Sequence, residues 1–443
     1  MSNQTHQLEA SLKIKFLIIG GGISGLACAY TLSASGHEAV IVEECRIEEK
    51  TEGSIRSPPN MTRILTRWPG MDAFLDTHAT RCTGLSFRRG DTGAPVGAMK
   101  FHDEIMDELE AEFLVVQHED LRRQLYLLCL DAGVVFIHGK AENIAKEEDG
   151  VSVTLKDGRN LHGDLIVGAD GHNSFTRPFV MSESAEVEHV VSAANISIPT
   201  EIFEKDDEFR SLCRPNQFTI WMGSGSSLTG TFDPQCKTFN LSICSPTPLD
   251  SADSDMYDNY DLSALQPFDL SGYDPRLQRL IKSGGSCRPT VHKVFKQDDV
   301  VGFDGSLVLV GDAAHSILIN GSHNSSMAIE DAVTLGTLFS HLSDRKQIPV
   351  FTETYEELRQ SRTDETRISE YQSLVQISLP HGELQQLRDD SLLLTLDAAF
   401  DDFENCESSD LLVQAWEQYL VVFSYDASEA VDNWWSKWSF TVE

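Results

Sequence analysis

The chain has 443 residues, of which 41% are hydrophobic, and a formal net charge of −34 at pH 7. This length is sufficient for two or three domains, and the apolar fraction excludes wholesale disorder. So acidic a surface disfavours nucleic acid and anionic membranes as partners, because phosphate binding requires lysine and arginine. An anionic ligand would therefore have to meet local arginines that oppose the overall field.

The N-terminal stretch before Phe16 contains no apolar run, so we expect no signal peptide. No stretch is both long and apolar enough to span a bilayer. The nine cysteines occur singly and lack the spacing of a metal site. An odd number of thiols without a secretion signal favours reduced thiols, so we expect a cytoplasmic protein without a bound metal.

The first predicted elements form a strand–turn–helix–strand unit. KFLIIG and EAVIVEE are buried-strand patterns, and SGLACAYTLSASG has helical spacing that ends near Gly36. Between the first strand and the helix, Gly20, Gly22 and Gly25 have G-x-G-x-x-G spacing. In a nucleotide-binding unit these glycines permit a tight turn, close approach of a pyrophosphate and close packing of the helix on the strand.

A carboxylate follows at the end of the second strand. Glu43 is positioned to accept hydrogen bonds from the ribose hydroxyls of an adenosine, whereas strand alternation turns Glu44 to the other face. The helix N-terminus, which includes Ser24, offers free N–H groups to phosphates. Together these features predict dinucleotide binding, and an ordinary glycine-rich turn is the alternative.

The rest of the chain alternates between two kinds of sequence pattern, one typical of α/β structure and one typical of β-structure. HEDLRRQLYLLCLDAG predicts a helix, and VSVTLKDGRNLHGDLIVGADG predicts strands around the turn Asp157-Gly158, then a buried strand. Strand-like stretches with acidic loops follow, until GSLVLVGDAA returns to a buried strand and SSMAIEDAVTLGTLFSHL to a helix. We therefore predict an α/β protein. A discontinuous Rossmann-like domain (1–182 and 300–362) carries an inserted, mainly-β domain (183–299), and a helical C-terminal region (363–443) follows.

Three motifs together resemble those of single-component FAD-dependent aromatic monooxygenases. GDLIVGADGHNSFTR is similar to the G-A-D-G-x-x-S-x-x-R stretch of that family, and GDAAH…MAIEDA is similar to its G-D motif. GSIRSPPNMTRIL, SLPHGELQQLRDD and FSYDASEAVDNWW resemble segments of the fungal salicylate-hydroxylase-like branch. The resemblance covers nearly the whole chain and implies an FAD-binding domain with an inserted substrate domain.

The implied reaction inserts one oxygen atom of O2 into a small aromatic or phenolic molecule through a flavin C4a-hydroperoxide. NADPH or NADH would be the transient reductant, and a salicylate-type acid would lose CO2 as it is hydroxylated. Epoxidation or oxidation of an indole or a prenylated secondary metabolite is an alternative in the same class. A flavin-binding protein without oxygenase activity is an alternative of another class. We expect a monomer or a homodimer.

The resemblance also implies roles for individual residues. Glu43 matches the residue that holds the adenosine ribose of FAD, and Asp170 matches one near the pyrophosphate and the path of the nicotinamide. Asp312, which follows Gly311, matches the aspartate that hydrogen-bonds the ribityl and pyrophosphate side of FAD. From the residues alone, Asp170 is equally an Asx-turn residue and Asp312 a helix N-cap.

Two segments depart from the family pattern. His118 stands near the start of a helix where the family has an arginine, and Arg122 or Arg123 is a candidate to replace the missing charge. In INGSHNSS, Asn324 replaces a glycine of the loop that contacts the flavin ring, while Ser316 and Ile319 replace two prolines. The spacing is preserved. We expect Asn324 and Ser325 still to contact the flavin, with Asn324 in the left-handed conformation that glycine supplied.

His323 brings an ionisable group to a place where the family has a neutral amide. An imidazole beside a phenol can accept its proton near neutral pH, so His323 is the candidate catalytic base. The alternative is a solvent-exposed His323 without a role. For His315 we expect a structural role.

Aromatic side chains of the inserted strands are the other candidates for the substrate site. The resemblance builds the substrate pocket on this sheet, although such aromatics are more often core. Alternation places two of them, Phe218 and Trp221, on opposite faces. The residues concerned are Phe218, Trp221, Phe232 and Phe239.

Overall fold

The structure is a computed structural model that describes residues 8–46, 53–180, 187–234, 237–246, 262–265, 268–295, 299–315, 317, 321–398 and 419–439. Ser316 and Ile319, the two replacements of family prolines, lie outside the described residues. None of the described helices combines the length and the apolar character that crossing a membrane requires.

A six-stranded sheet forms the centre of the α/β part. Its strands are numbered in chain order and lie side by side in the order β18 (Val301–Gly302), β19 (Leu307–Leu309), β12 (Leu165–Gly168), β1 (Lys15–Ile19), β2 (Glu38–Glu43) and β8 (Val135–His138). All neighbours are parallel except β18 and β19. The strands come from three distant parts of the chain, which confirms the predicted discontinuous, Rossmann-like unit.

The two faces of this sheet are covered differently. Phe16 and Ile18 of β1 face helices α1 (Ile23–Ala34), α5 (His118–Asp131) and α9 (Asn324–Ser340). Leu17 and Ile19 face a small antiparallel sheet. That sheet consists of β9 (Ala141–Glu147), β10 (Gly150–Leu155) and β11 (Asn160–Gly163). Alternate side chains of one buried strand therefore belong to two separate hydrophobic cores.

Close packing of α1 on α9 brings together the N-terminal segment and the segment after residue 300 of the Rossmann-like domain. Thr31 Oγ1 donates to the Ala332 carbonyl at 2.7 Å. A Cβ placed on Gly336 would lie 2.6 Å from the Thr31 Cβ. Glycine at position 336 therefore permits the close approach that sets the first residues of α9 beside the glycine loop.

A seven-stranded sheet forms the second part. Its spatial order is β17 (Cys287–Phe295), β13 (Val187–Pro199), β16 (Thr238–Ser245), β15 (Ser227–Asp233), β14 (Phe218–Met222), β5 (Gly84–Arg89) and β6 (Pro95–Lys100). The strands are antiparallel except for β14 and β5. The sequence patterns did not reveal that β5 and β6, which precede the inserted segment, complete this sheet.

The aromatic residues of this sheet divide as alternation predicts. Phe218 packs with Phe113 on one side. Trp221 is fully buried with Phe239 on the other, and Phe232 packs against the same cluster. Phe218, Trp221 and Phe239 are therefore core residues, and Phe232 is partly buried. Only Phe218 lies on the side of the sheet away from the Trp221 cluster.

The remaining elements surround these sheets. A second small sheet contains β3 (Ser54–Ser57), β4 (Ala79–Arg81) and β7 (Leu114–Gln117). Short helices are α2 (Pro59–Thr66), α3 (Met71–His78), α4 (Asp103–Glu108), α6 (Glu201–Lys205), α7 (Asp207–Arg210) and α8 (Pro275–Lys282). The described part of the C-terminal region is helical, as expected: α10 (Gln347–Ile377), α11 (Glu383–Ala398) and α12 (Ala427–Trp438).

Candidate active site

Two glycines of the loop after β1 are required by the fold itself. Gly20 has a φ of +109°, and a Cβ there would collide with the Ala169 carbonyl. A Cβ at Gly25 would collide with the carbonyl oxygen of Gly20. These positions therefore hold the turn and seat the helix on the strand, the roles expected for the first and third glycines of the motif.

Gly22 differs from the other two because it faces open space. It is the N-cap of α1 with φ −77° and ψ −171°, and a Cβ there would meet nothing within 4 Å. The first N–H groups of α1 lie at this opening, and such groups bind phosphate. Ser24, in the first turn, contacts Gly311: a Cβ on Gly311 would lie 2.8 Å from the Ser24 Cβ. The structure thus brings two of the sequence motifs into contact at this helix end.

Glu43 lies against the same loop. One carboxylate oxygen accepts a hydrogen bond from the Gly21 N–H, and the other accepts one from the Cys45 N–H at 2.7 Å. Because a carboxylate offers about four acceptor sites, Glu43 retains capacity for hydroxyl donors. Its position at the end of β2 is the one expected for a ribose-binding carboxylate.

The structure distinguishes between the arginines of α5. Arg122 is buried and its Nε donates to the Gly21 carbonyl at 3.1 Å, whereas Arg123 is exposed. Burial, with the nearby charge of Arg122, lowers the pKa of His118 to about 4. His118 is therefore neutral at pH 7 and does not replace the charge of the family arginine. Arg122 supplies a charge at the loop, and contact of either residue with a cofactor stays a prediction.

Asp170 organises its own loop. Its carboxylate accepts hydrogen bonds from Ser174 Oγ at 2.7 Å, from the Phe175 N–H at 2.8 Å, and from the N–H and Oγ1 of Thr176. These donors lie four to six residues further along the chain, not two, so the side chain fixes the loop without forming the Asx-turn of the alternative interpretation. The Asp170 backbone lies against Gly20, so the loop borders the site, but direct contact of this carboxylate with a cofactor stays a prediction.

Arg177 joins this loop to the G-D motif. Its guanidinium donates to the carbonyls of Asp312 at 2.6 Å, Ala313 at 2.9 Å and His172 at 3.0 Å. The arginine of G-A-D-G-x-x-S-x-x-R thus holds the backbone from which the Asp312 side chain projects.

The Asp312 carboxylate has no hydrogen-bond donor among the described residues, and no N-cap hydrogen bond accompanies the short turn Gly311–Ala313. The N-cap interpretation is therefore not supported. Burial raises the pKa of Asp312, and the charges of His315 and Arg177 oppose this. A half-buried carboxylate without donors needs a partner, and the hydroxyl groups of a ribityl chain are donors of the right kind.

A buried ionic cluster, which no sequence motif predicts, lies behind the G-D motif. Asp331 accepts hydrogen bonds from the Gly311 N–H at 2.8 Å, His315 Nε2 at 2.6 Å and Arg359 Nε at 2.7 Å. Burial alone would raise the pKa of Asp331, but His315 and Arg359 hold it at about 2. His315 therefore has the structural role that we expected.

Glu330 completes this cluster. It accepts hydrogen bonds from Arg359 at 2.8 Å, Arg362 at 3.0 Å and Asn60 at 2.7 Å, and the charged members are almost inaccessible to solvent. A spacing signal did exist for the two arginines, since residues 359 and 362 share a face of α10. Their partners on α9 could not be identified from that spacing.

His323 is buried, so the solvent-exposed alternative is wrong. Only 7% of the residue is accessible, and its ring stacks near Phe423. His323 Nδ1 lies 2.6 Å from Glu370 Oε1, which also accepts the Ser322 N–H at 2.6 Å. His323 Nε2 is buried and has no hydrogen-bond partner among the described residues. Glu370, on α10, is a functional candidate that no sequence motif predicts.

The loop before α9 corrects one prediction. Asn324 does not adopt the left-handed conformation; it is the first residue of α9, followed by Ser325, and has no positive φ. Joining the helix removes the need for the conformation that glycine supplied. The Asn324 Oδ1 atom is buried without a partner among the described residues, and the first N–H groups of α9 lie beside it. A polar cofactor edge would meet donors here.

Comparisons with known proteins agree with this geometry. Residues 13–239 match a family model described as FAD binding domain. A 3-amino-4-hydroxybenzoate 2-monooxygenase of Streptomyces platensis is 28% identical over 85% of this chain and 92% of its own length. An FAD-dependent monooxygenase of Arthrinium sp is 26% identical over 84% and 87%. The crystal structure of Klebsiella pneumoniae HpxO with FAD and uric acid shares the fold, with a TM-score of 0.73, 21% identity and coverage of 92% and 97%.

Proposed function

The chain belongs to the FAD binding domain family and is an FAD-dependent monooxygenase, and on this basis we propose that it hydroxylates a small phenolic substrate with NADPH or NADH as reductant. The observation that carries the phenolic substrate is the buried pair of His323 and Glu370 immediately before α9. This pair can remove the proton whose loss activates a phenol.

A general base requires the neutral imidazole, and the contact with Glu370 then selects its tautomer. A carboxylate accepts, so Nδ1 of neutral His323 carries the hydrogen that is shared with Glu370 Oε1, and Nε2 keeps a free lone pair. Nε2 accepts the phenolic proton, which leaves a phenolate and an imidazolium. Glu370 then stabilises the imidazolium charge, as a carboxylate does for histidine in other general bases.

Deprotonation is useful because the phenolate carbon ring is more electron-rich than the phenol. FAD, once bound, supplies the activation of O2 and the transfer of one oxygen atom. The chain's own contribution is to bind, to orient and to exclude water. The opening at Gly22 and the N-terminus of α1 suit the pyrophosphate, Glu43 suits the ribose, and Asp312 suits the ribityl hydroxyls. The N-terminus of α9, beginning at Asn324, suits an electron-rich edge of the ring system.

The experiment that tests the proposal is substrate-stimulated oxidation of NADPH and NADH by the purified yellow protein. Matched sets of phenols and their O-methyl ethers are offered under ¹⁸O2, with catalase present, and products are analysed by mass spectrometry. We expect phenols, and not the ethers, to accelerate NAD(P)H oxidation and to gain one ¹⁸O atom. Products that have also lost CO2 would reveal decarboxylative hydroxylation.

Two outcomes would contradict the proposal. Equal incorporation of ¹⁸O into phenols and their ethers would show that no phenolic proton has to be removed. NAD(P)H oxidation without any ¹⁸O-labelled product from every phenol, with hydrogen peroxide accumulating in a parallel assay without catalase and FAD retained, would support the flavin-binding alternative without oxygenase activity.

A further inference from the structure

Arg56 lies at the junction between the α/β part and the seven-stranded sheet. It belongs to β3, and its guanidinium carbon lies 4.5 Å from the centre of the Phe218 ring on β14. Arg56 NH1 lies 3.4 Å from Ser322 Oγ, and Ser322 directly precedes His323. Arg56 therefore lies beside the segment that carries His323.

The charge of Arg56 lacks a direct counter-ion. Throughout the described ranges, no carboxylate oxygen lies within 4 Å of its guanidinium, and the long hydrogen bond to Ser322 is its only hydrogen bond there. A guanidinium has five N–H donors. Burial lowers the pKa of Arg56, and Glu370 opposes this from a distance. Arg56 is half-buried, and a cation that is partly withdrawn from water is stabilised by a partner of opposite charge.

Three arginines that are more deeply buried than Arg56 show how this fold satisfies a guanidinium. Arg359 pairs with Glu330 and Asp331, and Arg362 pairs with Glu330. Arg63 donates to the backbone carbonyls of Leu109 at 2.7 Å and of Tyr425 at 2.9 Å. Arg56 has neither kind of partner among the described residues, although the chain carries 69 acidic residues against 35 basic ones. The missing acceptors point to a ligand.

We propose that Arg56 binds a carboxylate on the substrate, so that the site selects aromatic acids over neutral aromatics; this rests on the proposed function in taking the junction as the substrate site. The planar guanidinium fork matches the two oxygens of a carboxylate. One face of the guanidinium is covered by Phe218, which leaves its N–H edge for the ligand. A local cation is also what an anion needs to enter a protein of net charge −34.

The test measures equilibrium binding to the oxidised, FAD-loaded protein, because that requires no turnover. Perturbation of the flavin absorbance reports titrations with salicylate, salicylamide, benzoate and benzamide. Each pair differs only in carboxylate against carboxamide, and benzoate lacks a phenolic group. Wild type should prefer each acid to its amide. Arg56→Gln should weaken both acids by about tenfold or more, since hydrogen bonds to charged groups are lost, and leave the amides unchanged.

Two further variants keep the result interpretable. Arg56→Lys retains the charge but not the fork, and should bind the acids with intermediate affinity; it also serves if Arg56→Gln does not fold. Arg88→Gln is the matched control, because Arg88 is also half-buried, lies on β5 beside β14 and donates to the Gly93 carbonyl at 2.9 Å. Arg88→Gln should preserve the preference for acids. FAD content and melting temperature are recorded for each protein.

Three outcomes would overturn the role of Arg56. These are a wild type without preference for the acids, equal weakening of acids and amides in Arg56→Gln, and weakening confined to the two phenols, which would indicate a phenolate ligand instead. A different pair of results would show that the proposed function, and not the role of Arg56, is wrong. In that case the acids bind in an Arg56-dependent manner, but no phenol is hydroxylated under ¹⁸O2.

Discussion

Replacing Gly22 by alanine separates the cofactor-binding role of the glycine loop from its folding role. The backbone at Gly22 has a φ of −77°, which alanine adopts freely, and the new Cβ would meet nothing within 4 Å. Gly→Ala at a compatible position stabilises a protein by about 0.4–1 kcal/mol, because the unfolded chain loses freedom. Gly22 is also the N-cap of α1, where alanine is less favourable than glycine by a comparable amount. The apoprotein of Gly22→Ala should therefore melt close to the wild-type temperature.

The affinity of Gly22→Ala for FAD, in contrast, should fall. The new methyl group projects into the opening at the N-terminus of α1, where we expect the pyrophosphate. Displacing a phosphate oxygen from one charge-assisted hydrogen bond costs roughly 1.5–3 kcal/mol. That corresponds to an increase in Kd of about tenfold to 150-fold. Fluorescence titration of the apoprotein with FAD measures this increase directly.

Gly25→Ala provides the contrast within the same motif. Its Cβ would collide with the carbonyl oxygen of Gly20, so the helix has to shift and the apoprotein should melt at a lower temperature. An unchanged FAD affinity in Gly22→Ala would refute the placement of the pyrophosphate. An apoprotein of Gly22→Ala destabilised as strongly as that of Gly25→Ala would refute the geometry of the loop.

Three further predictions concern the carboxylates and the histidine. Glu43→Ala and Asp312→Ala should each weaken FAD binding by about tenfold or more, because each removes a charged acceptor of hydroxyl groups. His323→Gln should lower hydroxylation by about a hundredfold while FAD affinity stays constant, and Glu370→Gln should lower it in the same way. Asp331→Asn should destabilise the protein by about 3–5 kcal/mol in chemical denaturation near pH 7, because Arg359 loses one of its two buried counter-ions. Because the folded pKa of Asp331, about 2, lies below the usual aspartate value, its contribution is present at neutral pH and is lost as the pH falls through about 4 to 2. The difference between wild type and Asp331→Asn should therefore narrow in that range.

A specific result would contradict each of these three predictions. Unchanged FAD affinity in both Glu43→Ala and Asp312→Ala would mean that the cofactor lies elsewhere. Full hydroxylation, with an unchanged pH profile, in His323→Gln would make His323 a structural residue. For Asp331→Asn the control is Glu38→Gln, which removes the exposed pair with Lys15 and should cost less than about 1 kcal/mol. Equal losses in these two variants would show that burial of the Asp331 cluster is not the cause.

Features that depend on neighbouring residues followed from the amino-acid order alone. The glycine spacing, the strand before it and Glu43 after it predicted the βαβ unit and its carboxylate, because their geometry is set within about thirty residues. Helix ends at Gly36 and Gly133 and the turn at Gly158 follow from the positive φ values that glycine adopts easily, and all three have them in the structure. Motif resemblance then predicted the family and its cofactor correctly.

Packing between distant elements set the remaining features. His323 was a candidate from its position, but Glu370 lies 47 residues further on, and only the packing of α10 against the loop before α9 brings their side chains together. In the same way Arg359 and Glu330 meet across two helices, and strands β5 and β6 join a sheet formed mostly by residues beyond 186. The spacing of residues on one helix predicts which side chains share a face, but not which element that face will meet.

The conformation of Asn324 shows the same limit at a single residue. Its intrinsic tolerance of left-handed φ predicted the geometry of the replaced glycine, yet in the folded chain it begins α9 instead. Local preferences of this kind amount to a fraction of a kcal/mol up to about 1–2 kcal/mol, and a helix held by burial of its whole face outweighs them. Local chemistry therefore identified the residues of the site, and tertiary packing set their partners and their conformations.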